Sequence, residues 1–380
     1  MGHIAGAMTT FSYGFASFLS ACAASVKRTF PMHLPLYACA VLFTAITIAV
    51  TAAYHAPVTL EASIFFLITV PKFFAVGLFL VAMVQYFRLA LRGSRSPVKD
   101  FAAWLYRSAL DNDRPGNIFH TLVTITPLMV TFSALKEVIP LIRPFSWDQA
   151  FVRWDRALGF GYAPWEWLQP VLGYPAVTWA INYAYDFWFI VVFAALIWQA
   201  FFARGGVARM QFLLAFAISW FVAGNVLAVV FSSAGPCYYG LLYGSDPYAA
   251  QMAYLRAVNQ NWPLASVEIQ DYLWQSYVKT RGANFGISAM PSMHVVTTAL
   301  IALICWRTNR RLGIALVVYT AIVVIGSVHL AWHYAVDGIA GIALALVFWY
   351  VAGVIVRAQD RLAHSRRAAL VPAGLQPAQE

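Results

Sequence analysis

Two apolar runs flank a short polar junction at residues 311–357, which read RLGIALVVYTAIVVIGSVHLAWHYAVDGIAGIALALVFWYVAGVIVR. Each run is about 20 residues long, the length at which an α-helix spans the roughly 30 Å hydrocarbon core of a bilayer. The junction holds two histidines and an aspartate, at a depth where ionisable side chains are costly. The stretch therefore predicts two membrane-spanning helices with functional residues between them.

The composition of the whole chain supports this interpretation. Of its 380 residues, 61% are apolar and only 11% are charged, whereas a soluble domain carries about 25% charged residues. A soluble enzyme, a disordered chain and a secreted disulfide scaffold are therefore excluded, and the four cysteines show no paired spacing. The net charge of +10 fits basic loops that orient a membrane protein better than it fits nucleic acid, which is not an expected partner.

The same length criterion predicts an all-α, polytopic membrane protein with about eight transmembrane helices. The predicted spans are 34–54, 62–87, 117–138, 176–202, 207–231, 290–306, 311–331 and 337–357. Residues 11–26 are predicted as an interfacial helix or a weak extra span. The chain then divides into an N-terminal region with two spans and a basic loop (1–116), a core (117–357) and a tail (358–380).

Lys and Arg residues are distributed unequally between the two sides of such a bundle. Eight spans put both termini on one side, where 17 of the 25 basic residues fall; 7 lie opposite, and Lys72 lies within a span. Because cytoplasmic loops are enriched in Lys and Arg, we expect both termini in the cytoplasm. Segments 139–175 and 232–289 would then be periplasmic, extracellular or luminal, in a plasma or bacterial inner membrane.

A pair of cations lies at the non-cytoplasmic end of the third span. Lys136 and Arg143 are seven residues apart, so an ammonium and a planar guanidinium can converge on one anion. Taken alone, the pair is explained as well by long basic side chains that reach the interface from a helix end.

The sixth span opens on the same side with Ser292 and His294. The hydroxyl and the free N–H groups of a first helical turn can hold a phosphate. The alternative is an ordinary hydrogen-bonded histidine in a helix cap.

The third cluster is the junction of the opening stretch. His333 and Asp337 are four residues apart, so a helix would place them on one face, which His329 extends by another turn. A carboxylate at one ring nitrogen fixes the tautomer and leaves the other nitrogen as base or nucleophile.

Because the three clusters share one side of the membrane, we expect them to meet in a single pocket that acts on a phosphoryl group. His333 would attack phosphorus to give a phosphohistidine, Asp337 would orient it, and His294 would protonate the leaving oxygen and then activate the acceptor. The charged oxygens would be held by the phosphate-binding residues Lys136, Arg143 and Ser292.

At these residues the chain resembles the membrane-bound type 2 phosphatidic acid phosphatase superfamily, whose motifs are Lys-x6-Arg-Pro, Pro-Ser-Gly-His and Ser-Arg-x5-His-x3-Asp. Residues 136–144 match the first motif, and residues 291–294 match the second with Met293 in place of Gly. The third keeps His333 and Asp337, but its arginine is missing. The resemblance covers residues 117–357 and implies a six-helix phosphatase-like core that acts on a lipid phosphate in the bilayer without a metal or other cofactor.

These departures, together with WDRALG at 154–159 and GPCYY at 235–239, resemble the branch that contains fungal inositol phosphorylceramide synthase, an inositolphosphotransferase-like enzyme. That resemblance implies that an alcohol or a second lipid can replace water as acceptor. Arg281 or His329 would take the place of the missing arginine. Tyr334 and Asp186 are further candidate substrate contacts, although Asp186 fits a buried structural acid equally well.

Two other functions remain open at this point. His329, His333 and Asp337 could hold a metal ion for hydrolysis, although no His-Glu-x2-His motif is present. A lipid transporter with the polar cluster as its binding site is the non-enzymatic alternative, although no inverted repeat supports it.

Overall fold

The computed structural model describes residues 2–55, 60–202, 206–280 and 286–369, and these ranges are helical, with no strand among them. The all-α fold class is therefore confirmed. In chain order the helices are α1 Gly2–Ala53, α2 Leu60–Leu91, α3 Pro97–Leu110, α4 Arg114–Ile142, α5 Asp148–Leu158, α6 Pro164–Leu172, α7 Pro175–Asp186, α8 Trp188–Ile197, α9 Gly206–Phe221, α10 Ala228–Val230, α11 Tyr239–Tyr243, α12 Ala249–Asn259, α13 Ala265–Thr280, α14 Met293–Thr308, α15 Arg310–His329 and α16 Ala335–Ala369.

Seven helical segments in the described ranges are long and apolar enough to cross a membrane. They are Ala16–Ala53, Leu67–Leu91, Arg114–Ile142, Pro175–Phe201, Gly206–Val230, Arg310–His329 and Ala335–Ser365. The remaining predicted span, 290–306, corresponds to α14, whose 16 residues give a helix of only about 24 Å. The polytopic membrane architecture is confirmed.

Residues 11–26 do not form a separate element. They belong to α1, which runs unbroken for 52 residues, so this segment is the beginning of the first long helix rather than an additional span. Pro31 and Pro35 lie inside α1 without ending it, as prolines do in membrane helices whose neighbours satisfy the freed carbonyls.

The most enclosed helix is α9. Met210, Phe212, Leu213 and Phe216 are all fully buried, because α9 packs against α1, α4, α14 and α16. A helix that is apolar on every side is expected at the centre of a bundle.

Arg209 is one of the 17 basic residues that the sequence assigns to the cytoplasmic side, but it lies inside the bundle at the start of α9 and is 2% exposed. Its guanidinium donates to the carbonyl of Gln199 at 2.6 Å and to Oγ1 of Thr121 at 3.0 Å, and it lies 2.9 Å from Nε2 of His33. Arg209 therefore joins three helices rather than marking a loop.

The short helices α5, α6, α11, α12 and α13 pack together over one end of the bundle. Two clusters of buried apolar side chains connect this layer to the spans. They join α5, α6 and α11–α13 with the α15–α16 junction and with the start of α14. This arrangement brings the end of α4, the start of α14 and the start of α16 together.

Candidate active site

A cavity of about 310 Å³ lies where these elements meet. It is lined by Lys136 near the end of α4, Asp186 at the end of α7, His294 in the first turn of α14, and His333 just before α16. Seven of the other sixteen lining residues are aromatic: Phe132, Tyr185, Trp188, Phe189, Trp220, Tyr238 and Trp332. Residues from all three predicted clusters thus line one cavity, although not every member of each cluster does.

His333 is paired with Asp337. Its Nδ1 lies 3.2 Å from Oδ2 of Asp337, and that oxygen also accepts the N–H of Tyr334 at 3.0 Å. Asp337 is fully buried and His333 is 8% exposed. Because the carboxylate holds Nδ1, Nε2 is the ring nitrogen left for chemistry in the cavity.

His294 is clamped between two aromatic rings. Its ring stacks on Tyr185 with centroids 4.4 Å apart and lies tilted by 37° against Trp188 with centroids 4.0 Å apart. The centroid of His294 lies 6.4 Å from that of His333. The stacking contact with Tyr185 covers a face of the imidazole, whereas the two nitrogens that could transfer protons lie in the ring edge. Sequence reasoning missed both clamp residues, since aromatic residues in a membrane helix carry no distinctive signal.

Lys136 and Asp186 bring opposite charges to the cavity. The ammonium of Lys136 lies 5.4 Å from the ring centroid of Phe132, and Oδ2 of Asp186 accepts a hydrogen bond of 2.9 Å from Asn182. The carbonyl of Lys136 lies against Gly286, where a Cβ atom would be only 1.9 Å from that oxygen. Lys136 is therefore held by its backbone as well as by its ring contact.

Arg143 is not part of the cavity wall. Helix α4 ends at Ile142, and Arg143 follows with an extended backbone of φ −145° and ψ 115°. Its exposed guanidinium donates to the carbonyl of Val230 at 2.8 Å. The lysine and the arginine consequently do not converge on one point.

Ser292 lies directly beside the cavity but does not line it. It precedes α14, is fully buried, and its Oγ has no hydrogen-bond partner among the described residues. Its N–H points to the carbonyl of Asp337 across 3.5 Å, which links the start of α14 to the start of α16.

The other candidate substrate contacts lie elsewhere. His329 is buried with Nε2 at 2.9 Å from Oγ1 of Thr178, and the hydroxyl of Tyr334 donates to Asp148 at 2.9 Å. Arg281 lies outside the described residues. Across the described ranges no group of three or more His, Cys, Asp or Glu side chains is arranged to hold a metal ion.

Two acids on α5 contact the backbone around the His333–Asp337 pair, and sequence reasoning assigned neither of them a role. Asp148 accepts hydrogen bonds from the N–H groups of Ala234 and Gly235, and Asp155 accepts from the N–H groups that open α16. Their spacing of seven residues on one helix was the available signal.

A family model of the PAP2 superfamily matches residues 149–351, more than half of the chain. The matched stretch includes His294, His333 and Asp337. Among curated proteins and among solved structures, none matches the chain significantly. The chain therefore belongs to the PAP2 superfamily, which makes it a phosphatase-type membrane enzyme.

Proposed function

We propose that the protein is a lipid phosphate phosphatase or phosphotransferase that works through a phosphohistidine at His333. The observation that carries the proposal is the cavity that His333, His294 and Lys136 line together, with Asp337 against Nδ1 of His333. A nucleophile with its orienting acid, a second histidine and a cation are the groups that phosphoryl transfer requires.

In the first step, Nε2 of His333 attacks phosphorus, an N–P bond forms, and the P–O bond to the leaving group breaks while His294 gives that oxygen a proton. In the second step, His294 takes a proton from water or an alcohol, whose oxygen attacks phosphorus as the N–P bond breaks. The separation of 6.4 Å between the two ring centroids supports these roles, because one phosphoryl group can contact both rings.

Phosphate binding is assigned first to Lys136, whose positive charge stabilises the anionic transition state in an apolar cavity. Arg143 and Ser292 are proposed as further phosphate contacts, and Arg143 would first release the carbonyl of Val230. Asp186 is proposed to contact the head group or the acceptor. We assign no substrate contact to Nε2 of His329 or to the hydroxyl of Tyr334, because they are hydrogen-bonded to Thr178 and Asp148.

The acceptor is proposed to be an alcohol or a second lipid as well as water, in line with the resemblance to the inositolphosphotransferase-like branch. The aromatic wall and the small cavity support restricted access of water. We also propose that residues 117–357 form the catalytic core, that both termini are cytoplasmic, and that the cavity opens to the non-cytoplasmic face, since the basic residues favour this orientation.

The test uses purified protein in lipid nanodiscs and labelled phosphatidate, isoprenyl diphosphate, lipid A phosphate and phosphoinositide, with and without polyol or ceramide acceptors. Wild type should release phosphate or form a new phospholipid. The label on the protein should be lost in acid, as expected of a phosphohistidine, whereas an acid-stable control should keep its label. His333→Ala should lose all turnover. His364→Ala is the control and should keep turnover, because His364 is an exposed histidine near the end of α16. Full turnover by His333→Ala would overturn the mechanism, and sensitivity to chelators would favour metal-dependent hydrolysis.

A further inference from the structure

Helix α5 carries two buried carboxylates on one face. Asp148 and Asp155 are seven residues apart, two turns along the helix, and are 0% and 2% exposed. Buried carboxylates are normally paired with a cation, yet neither has an ion-pair partner in the described part of the chain. Backbone N–H groups and tyrosine hydroxyls take the place of the cation.

Asp155 caps the helix that carries Asp337. Its two oxygens accept hydrogen bonds from the N–H groups of Ala335 at 2.8 Å and Val336 at 3.0 Å. These are the first N–H groups of α16, which have no partner within the helix and lie at the positive end of its dipole. The cap begins two residues after His333 and ends one residue before Asp337.

Asp148 holds the other side of the same segment. It accepts the hydroxyl of Tyr334 at 2.9 Å and the N–H groups of Ala234 and Gly235 at 3.0 and 2.9 Å. Tyr334 in turn donates its N–H to Asp337. One carboxylate thus joins the residue between His333 and α16 to a loop that lines the cavity through Ala234.

The loop fits closely because Gly235 has no side chain. Its φ is +105°, and a Cβ atom there would lie 2.7 Å from the carbonyl oxygen of Trp332. The backbone of residues 332–336 is therefore fixed by a close approach before His333 and by the two carboxylates after it.

We propose that Asp148 and Asp155 are positioning residues that hold His333 and Asp337 in the orientation needed for attack on phosphorus. The inference rests on the proposed function. Its physical basis is that, within the described residues, the His333 side chain has one hydrogen bond, the 3.2 Å contact with Asp337, so the direction of Nε2 depends on where the first turn of α16 lies. A misplacement of about 1 Å can slow a reaction by about 10²-fold.

The alternative is a purely structural role, in which both acids only stabilise the fold, since unsatisfied N–H groups at a helix start are costly wherever they occur. The two readings differ in the kinetics of the protein that remains folded. Loss of stability lowers the number of active molecules, whereas loss of positioning lowers the rate at which each active molecule forms the phosphoenzyme.

The experiment compares Asp155→Asn and Asp148→Asn with Asp271→Asn, in the full-length protein in nanodiscs. Asparagine keeps the size of the side chain but presents an NH₂ group to one of the N–H donors. Asp271 lies in the same outer region on α13 and is a suitable control, because its side chain is 52% exposed and its ion-pair partner among the described residues is the exposed Arg256. The substrate is whichever lipid phosphate wild type turns over fastest.

Rapid-quench measurement of the phosphoenzyme burst separates rate from amplitude. We expect Asp155→Asn to slow the burst by about 10- to 100-fold with KM within about threefold and amplitude scaled to the folded fraction, and Asp148→Asn to act in the same direction. Hydrogen–deuterium exchange of the peptide at 333–340 should rise in both variants and not in Asp271→Asn.

A reduced burst amplitude with an unchanged rate would overturn the positioning role, as would unchanged exchange at 333–340. Failure of the proposed function has a different signature, since wild type itself would then form no phosphoenzyme, and the positioning role would fall with it. Equal slowing in Asp271→Asn would also refute the inference, because that acid contacts neither segment.

Discussion

Gly286→Ala should inactivate the enzyme by changing the cavity wall at Lys136. Gly286 lines the cavity, and its Cα faces the backbone of Lys136 so closely that an added Cβ would lie 1.9 Å from the carbonyl oxygen and 2.5 Å from the carbonyl carbon. Both obstacles are backbone atoms of a helix, so they cannot turn aside as a flexible side chain would.

The size of the effect follows from the missing distance. Ordinary van der Waals contact begins at 3.4 Å, so one of the two backbones must move by about 1.5 Å, since overpacking in a dense interior is relieved by backbone shifts. A displacement of about 1 Å in a catalytic group can reduce the rate by about 10²-fold. We therefore expect kcat/KM to fall by at least about a hundredfold, with a stability loss of about 1–3 kcal/mol.

The assay is turnover of the best lipid phosphate, normalised to folded protein from the thermal unfolding of each sample. Gly206→Ala is the matched control, because the nearest atom to its added Cβ is the flexible sulfur of Met32 at 3.4 Å. That variant should keep activity within about twofold. Turnover of Gly286→Ala within about threefold of wild type would refute the packing argument.

Three other perturbations have defined outcomes. Asp337→Asn should slow phosphoenzyme formation by about 10²–10⁴-fold, because an amide no longer enforces the required tautomer of His333; near-normal rapid-quench rates would contradict this. Arg209→Leu should lower the free energy of unfolding by about 1–3 kcal/mol per buried acceptor left unsatisfied, which a detergent melt can measure, while the folded fraction keeps its turnover; a raised melting temperature would show that burying the charge was the larger cost. Burial raises the pKa of Asp155 from 3.8 to about 6, so the folded state keeps this proton at pH values where the unfolded state has lost it. Stability should therefore fall as the pH rises from about 4 to 6, with a flatter dependence of the melting temperature on pH in Asp155→Asn than in wild type; identical slopes would refute the burial argument.

The membrane fold was largely predictable because its signal is local. A helix must satisfy its own backbone inside a bilayer, so the length of each apolar run determines a span without knowledge of its neighbours. The exception was the prediction for residues 11–26. Their sequence did not show that they belong to the helix that ends at Ala53.

The site was predictable where chemistry and spacing lie within a few residues. His333 and Asp337 lie close enough in sequence to contact each other, and placing span ends on one side brought His294 and Lys136 to the same region. The spacing of seven residues predicted that Arg143 and Lys136 would converge, but the extended backbone after Ile142 keeps Arg143 out of the cavity wall.

The sequence by itself determined the class of protein and the number of spans to within one short helix, and it predicted a histidine–aspartate pair with a lysine near it. Only the tertiary structure decided which of these side chains share a cavity, that two aromatic rings clamp His294, and that Asp148 and Asp155 hold the backbone beside His333. The physical reason is range: apolar length and i,i+4 spacing act within one helix, whereas a cavity wall is assembled by packing between helices far apart in the chain.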